Sequence, residues 1–168
     1  MKVSDFDYEL PAELIAQRPA PERQESRMLV LDRLSGDCRL RSFRDFPDVL
    51  RSGDCLVLND TRVIPARLYG KRAPTGGRVE ALLLEEQAPG RWKALLKPGR
   101  RLRPGNRVSL DGTDSGFRVE GRLEGGAFEI SFEAPDVLAV LEEAGHIPLP
   151  PYIQREDQPS DNERYQTV

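Results

Sequence analysis

Gly125-Gly126-Ala127-Phe128-Glu129-Ile130-Ser131-Phe132 is the stretch whose reading decides the fold class. Phe128, Ile130 and Phe132 alternate strictly with Glu129 and Ser131, the period-two pattern of a strand with one buried face. Gly125-Gly126 supplies a tight turn back to an earlier strand, Phe117–Leu123. Moving further back, the same texture recurs at Arg107–Leu110, Trp92–Lys97 and Arg78–Glu85, with Gly, Pro and Asn between the runs. Five short strands without a helical signal predict a small antiparallel barrel or sandwich over residues 67–133.

The texture changes on both sides of that block. Before it, Pro11 followed by Ala12 to Gln17 predicts a short helix ending at Pro19. Met28–Asp32 reads as an apolar strand, turned through Leu34-Ser35-Gly36-Asp37 into a partner around Cys38–Phe43. Asp45 is placed to cap a helical turn running to Leu50 and ended by Gly53. After the block, Pro135 to Gly145 carries a helical stripe of Val137, Leu138, Val140, Leu141 and Ala144, with Gly145 as the residue past its end. The prolines of His146–Ile153 then enforce an extended path. The expected class is α+β. Residues 1–66 and 134–168 would form a larger mixed α/β unit, and residues 67–133 an inserted all-β, barrel-like domain.

With 168 residues, 38% apolar and 32% charged, the chain can build a real core beneath a heavily charged surface. No apolar run has the length of a membrane span, and Met1–Phe6 lacks the basic and apolar regions of a signal peptide. Cys38 and Cys55 stand alone, without metal-ligand or disulfide spacing. A cytoplasmic setting follows, with no metal and no membrane. A net charge of −3 argues against indiscriminate coating of nucleic acid. The charge is nevertheless uneven: Arg91, Lys93, Lys97, Arg100, Arg101, Arg103 and Arg107 have no acidic residue among them. Such a cluster either neutralises RNA phosphates or simply protects sheet edges.

The chemistry concentrates in Cys55-Leu56-Val57-Leu58-Asn59-Asp60-Thr61-Arg62-Val63-Ile64-Pro65-Ala66-Arg67-Leu68. Cys55–Leu58 reads as a buried strand that hands Asn59, Asp60, Thr61 and Arg62 to solvent, a favourable place for a site. The plainer reading is a turn, with Asn59 and Asp60 bonding their own backbone, or a local ion pair of Asp60 with Arg62 or Arg67. His146 is the single histidine, a candidate acid or base that also follows a helix end, where a capping role is equally open. Tyr152 and Tyr165 can stack on a base or pack beside prolines. No Gly-x-Gly-x-x-Gly element follows a strand, which disfavours a Rossmann-type methyltransferase.

Taken together, several blocks resemble one family. They are Asp5–Pro11 with Glu13–Gln17, Arg23 with Ser26–Leu31, Leu56–Leu68, Gly77–Leu83, Gly145–Ile153 and Glu163–Val168. The family is that of the S-adenosylmethionine:tRNA ribosyltransferase-isomerases of queuosine biosynthesis. The resemblance implies transfer of the ribosyl group of S-adenosylmethionine to a 7-aminomethyl-7-deazaguanine base in the tRNA wobble position. The sugar is isomerised to give epoxyqueuosine, and adenine and methionine are released. S-adenosylmethionine would be a co-substrate, tRNA the partner, no cofactor would be permanently bound, and a monomer is expected. It further implies Asp60 as the catalytic carboxylate. Asn59, Thr61, Arg62, Arg67, Tyr152, Arg164, Tyr165 and Gln166 would bind substrate, and the Arg91–Arg107 cluster tRNA. Family members continue beyond the Glu163–Val168 block into a second half, so Val168 is expected to be a truncation and the fragment alone inactive or a weak binder. The competing expectation is a non-catalytic RNA-binding β-domain protein.

Overall fold

The computed structural model describes residues 1–166. Thr167 and Val168, the end of the last resembling block, lie outside the described residues. The described chain divides into two compact units, residues 1–59 with 150–156, and residues 60–149 with 157–166.

In the first unit, strands β1 (Arg27–Leu31) and β2 (Cys38–Ser42) form an antiparallel hairpin in which Leu29 faces Leu40. Its turn is organised by Asp32, whose Oδ1 accepts the N–H groups of Leu34 and Ser35 at 2.8 and 2.9 Å. The helix expected over Ala12–Gln17 is only a 3-10 turn, Ala12–Leu14, followed by extended Ile15. Seven residues between Pro11 and Pro19 cannot offset the cost of helix nucleation without a face to bury. The second helical turn is also 3-10, Phe43–Val49, and it is capped by Ser42 rather than Asp45. Asp45 instead reaches back to accept the Ser42 N–H. Cys55–Leu58 is not a strand. Leu56, Val57 and Leu58 are 52%, 86% and 66% exposed, and no described residue offers them a ladder of hydrogen bonds, without which an apolar run has no reason to sit as sheet.

The second unit contains a closed six-stranded antiparallel barrel. Its strands are β3 (Arg67–Arg72), β4 (Gly77–Ala88), β5 (Arg91–Lys97), β6 (Arg107–Leu110), β7 (Gly116–Arg122) and β8 (Phe128–Phe132). The order around the wall is β3-β4-β5-β8-β7-β6, and β3 pairing with β6 closes it, which excludes the sandwich. Sequence patterning yields five of these strands. The sixth, β3, is hidden by Gly70 and by its charged outer face. Gly70 is required where β3 crosses β6, because a Cβ there would overlap the carbonyl oxygen of Ser109. The interior is filled by alternate residues: Leu68, Val79, Ala81, Trp92, Ala94, Val108, Phe117, Val119, Phe128 and Ile130 are all buried. Register shifts in β4 after Leu83 and in β7 after Val119 bend the wall, as closure demands.

Helix α1 (Val137–Ala144) follows, started by Asp136, whose Oδ1 accepts the Ala139 N–H at 3.1 Å. Val137, Val140 and Leu141 join the barrel core. Gly145 ends the helix, but with φ −82°, not in the left-handed conformation. It is glycine for another reason: a Cβ would overlap the carbonyl oxygens of both Leu141 and Pro65. The helix end is thereby pressed directly against the chain entering β3. A short helix, α2 (Asp161–Arg164), completes the described residues.

Candidate active site

From Asp54 to Ala66 the backbone is neither strand nor turn. The turn expected at Asn59-Asp60 is absent. Asn59, Asp60, Thr61 and Arg62 are all exposed, and burial begins at Val63. An extended segment without a ladder needs other partners for its peptide groups. At Val63 the partner is Gln166. The Gln166 Oε1 accepts the Val63 N–H at 2.8 Å, and its Nε2 donates to the Val63 carbonyl at 3.1 Å and to the Asn162 carbonyl at 2.8 Å. The amide side chain thus takes the place of a neighbouring strand, and both of its donor hydrogens are used.

The first unit contains the same device. Gln17 Oε1 accepts the Gln154 N–H at 2.6 Å, while its Nε2 donates to the Tyr152 carbonyl at 3.0 Å. Arg155 Nε adds a bond to the Gln17 carbonyl at 2.8 Å. The proline-rich segment around Tyr152 is therefore held through its backbone, and the Tyr152 side chain stays 56% exposed. Sequence reasoning missed Gln17, because nothing in a lone glutamine marks it as a backbone clamp.

Arg67 is committed elsewhere. Its Nε lies 3.4 Å from Glu80 Oε1, and Nη2 donates to the Leu149 carbonyl at 3.5 Å. Its backbone exchanges two hydrogen bonds with His146, at 3.1 and 2.8 Å. His146 is neither a helix cap nor isolated: its Nδ1 is 2.8 Å from Asp157 Oδ1, and its ring meets Tyr69 edge-on at 5.0 Å. Asp157 Oδ2 also accepts the Ile147 N–H at 3.1 Å, so the carboxylate orients the ring and fixes the backbone together.

Asp60 and Arg62 form no ion pair with each other or with any described residue, which removes the local-pair reading. Arg62 borders an open cleft of about 430 Å³ within the second unit, together with Val63, Ile64, Pro65, Leu138 and Glu142. Asn162 and Gln166 complete its rim. The cleft has an apolar floor, one guanidinium and one carboxylate, an arrangement suited to a zwitterion with an apolar stem. Glu142 was not legible as a site residue, since a helix periodicity reading registers only the apolar stripe beside it. Arg164 and Tyr165 are half-buried in α2 and just after it.

The basic cluster is divided. Arg91 and Arg107 face glutamates, Glu129 at 3.3 Å and Glu133 at 3.4 Å, and Lys93 sits in register between Glu85 and Glu129. Lys97, Arg100, Arg101 and Arg103 lie at one end of the barrel, in and beside the loop that follows β5.

Comparison with known proteins agrees across the chain. A family model described as queuosine biosynthesis protein matches residues 3–168. The chain is 49% identical over 170 residues to the S-adenosylmethionine:tRNA ribosyltransferase-isomerase of Halothermothrix orenii, and equally so to that of Symbiobacterium thermophilum. Identity to the same enzyme of Aquifex aeolicus is 44% over 168 residues. In each case all of this chain aligns with 49% of the relative, so the chain spans about half the length of the curated relatives it matches. A crystal structure of S-adenosylmethionine tRNA ribosyltransferase from Thermotoga maritima is 40% identical, covering 84% of this chain and 48% of that one with a TM-score of 0.43.

Proposed function

The chain belongs to the queuosine biosynthesis protein family, and from that premise we propose that it is part of an S-adenosylmethionine:tRNA ribosyltransferase-isomerase. The carrying observation is the match of residues 3–168 to the family, with relatives of that name at 44–49% identity. The reaction moves the ribosyl group of S-adenosylmethionine onto 7-aminomethyl-7-deazaguanine in the wobble position of tRNA, isomerises it, and releases adenine and methionine. It takes place in the cytoplasm, where the tRNA is, with the protein as a monomer and without a permanently bound cofactor or metal. Residues 1–66 and 134–168 contribute to an α/β catalytic unit into which residues 67–133 are inserted.

The chemistry assigns roles to the residues present. The sulfonium of the co-substrate acidifies the hydrogens on the adjacent 5′ carbon, so an unpaired carboxylate can begin the rearrangement by removing one; Asp60 is that carboxylate. Departing adenine needs hydrogen-bond donors, a task for Asn59 and Thr61. The methionine portion is a zwitterion on a short apolar stem. Arg62 meets its carboxylate with a guanidinium fork, and Glu142, across the same cleft, meets its ammonium. Gln166 acts on substrate through the Val63 backbone it holds and Arg67 through His146 and Leu149, while Tyr152, Arg164 and Tyr165 supply further substrate contacts. Basic residues within the Arg91–Arg107 segment meet tRNA phosphates.

The test is adenine release by the full-length protein containing this segment. Release should require tRNA bearing the precursor base, and Asp60→Asn should lower kcat by about 100-fold or more. Equal release without that tRNA, or full activity in Asp60→Asn, would overturn the reaction or the role of Asp60 respectively.

A further inference from the structure

We propose that the end of the barrel where Lys71, Arg78, Lys97, Arg100 and Arg101 converge is a binding surface for RNA backbone phosphates, and that the rest of the basic segment is not. The inference rests on the reading of tRNA as a substrate and names the surface that holds it.

Strand directions bring the five residues together. In an antiparallel barrel of this order, the ends of β3 and β5 and the start of β4 share one rim. Lys71 and Arg78 are Cα partners across β3 and β4, and both lie on the outer face, since Gly70 and Val79 are the buried neighbours. Lys97 ends β5 on the same outer face, opposite Glu80. Arg100 and Arg101 are exposed on the loop that follows, and Arg101 shares a small cavity with Arg72 and Arg78. None of the five side chains makes a hydrogen bond or ion pair with a described residue. Two cations directly opposite in a sheet destabilise it. A local rule broken without an internal counter-charge points to an external one.

The loop is also held in place. Arg72 donates from Nη1 to the Arg101 carbonyl, and Arg122 donates from Nη2 to the Gly99 carbonyl. Arg103 Nη1 donates to the Arg100 and Leu102 carbonyls at 2.9 and 3.0 Å, and Leu102, 1% exposed, anchors the loop in the core. Three arginines are therefore used to fix the backbone on which Arg100 and Arg101 are displayed. A surface held rigid loses little conformational entropy on binding. Glu80, in register opposite Lys97, is already paired with Arg67. Elsewhere in the basic segment Arg91 and Arg107 are ion-paired with Glu129 and Glu133, and Lys93 lies in register with Glu85 and Glu129.

The experiment measures affinity of the full-length protein for tRNA across a salt series, for wild type and for a triple exchange at Arg78, Arg100 and Arg101 to Gln. The exchange should weaken binding by about tenfold or more and flatten the slope of log K against log salt by about 2 to 3. S-adenosylmethionine affinity and thermal melting should stay as in wild type. The corresponding lysine exchanges, which retain charge, should keep the wild-type slope and show that folding is not the cause. Unchanged affinity and slope in the glutamine variant would overturn the proposal, as would a larger loss from exchanging Arg91 and Arg107 to Gln. A protein that binds tRNA with this pattern yet releases no adenine would refute the proposed reaction and leave the surface standing.

Discussion

Phe128 in the barrel is 1% exposed, whereas Leu40 in the β1–β2 hairpin is 75% exposed. Both come from short antiparallel strands with apolar and polar residues interspersed. No residue of 1–59 or 150–156 reaches the buried class, while the second unit holds every core side chain. The difference lies in closure. A ladder that returns on itself has an inside, which the alternating residues fill. Two strands have two faces and no interior, so Leu29, Leu31 and Leu40 remain in water however well their backbones pair. Strand propensity is thus common to the two regions, and topology decides what it yields.

Breaking the core is the most severe way to test that contrast. Phe128→Ala should cost the chain about 3–5 kcal/mol, with Leu40→Ala within about 0.5 kcal/mol of wild type, both read from denaturant unfolding. Equal costs would mean that the hairpin contributes a core the structure does not show. A smaller effect is expected at the glutamine clamps. Gln166→Ala removes the acceptor of the Val63 N–H and the donors to the Val63 and Asn162 carbonyls and should cost about 1–3 kcal/mol, with faster hydrogen exchange at the Val63 amide. Gln17→Glu should cost less, since its bonds to Tyr152 and Gln154 are solvent-exposed. Matching exchange rates for Val63 in the wild type and Gln166→Ala would show that the clamp holds nothing.

The mildest test concerns the hairpin turn. The N–H of Ser35, then that of Leu34, hold the Asp32 carboxyl below its ordinary value. A folded pKa lower than the unfolded one gives a contribution that is complete above the ordinary carboxylate range, about 3.9, and fades as pH falls through the lowered value. Carbon-detected titration of Asp32 should therefore inflect below the unfolded reference. An inflection at or above it would dismiss the turn as a fixed element. The group is fully exposed, so the effect on stability should be slight.

The strands of the barrel were readable because a half-buried strand writes its period directly into the chain, as at Phe128–Phe132. Strand β3 was not, since Gly70 replaces an inward apolar residue for a reason that exists only once β6 lies against it. Cys55–Leu58 misled for the converse reason: its apolar run matches a buried strand, but a strand also requires neighbours, which no local pattern encodes. The site divides along the same line. Asp60 and Arg62 stood out as charges in an unusual context. Glu142, Asp157 and Gln17 acquire meaning only through partners remote in sequence, as when Asp157 orients His146 or Gln17 holds Gln154.

Strand β3 begins, and β8 ends, on the rim of the barrel from which α1 departs. The whole barrel is therefore one excursion of the chain that leaves and returns at a common doorway. Ala66 on the way in and Val137, Val140 and Leu141 on the way out belong to the same core, so the chain that passes through the doorway also seals it. The far rim, where Arg100 and Arg101 sit, takes no part in that seal, while the doorway is pinned by Gly145 against Pro65.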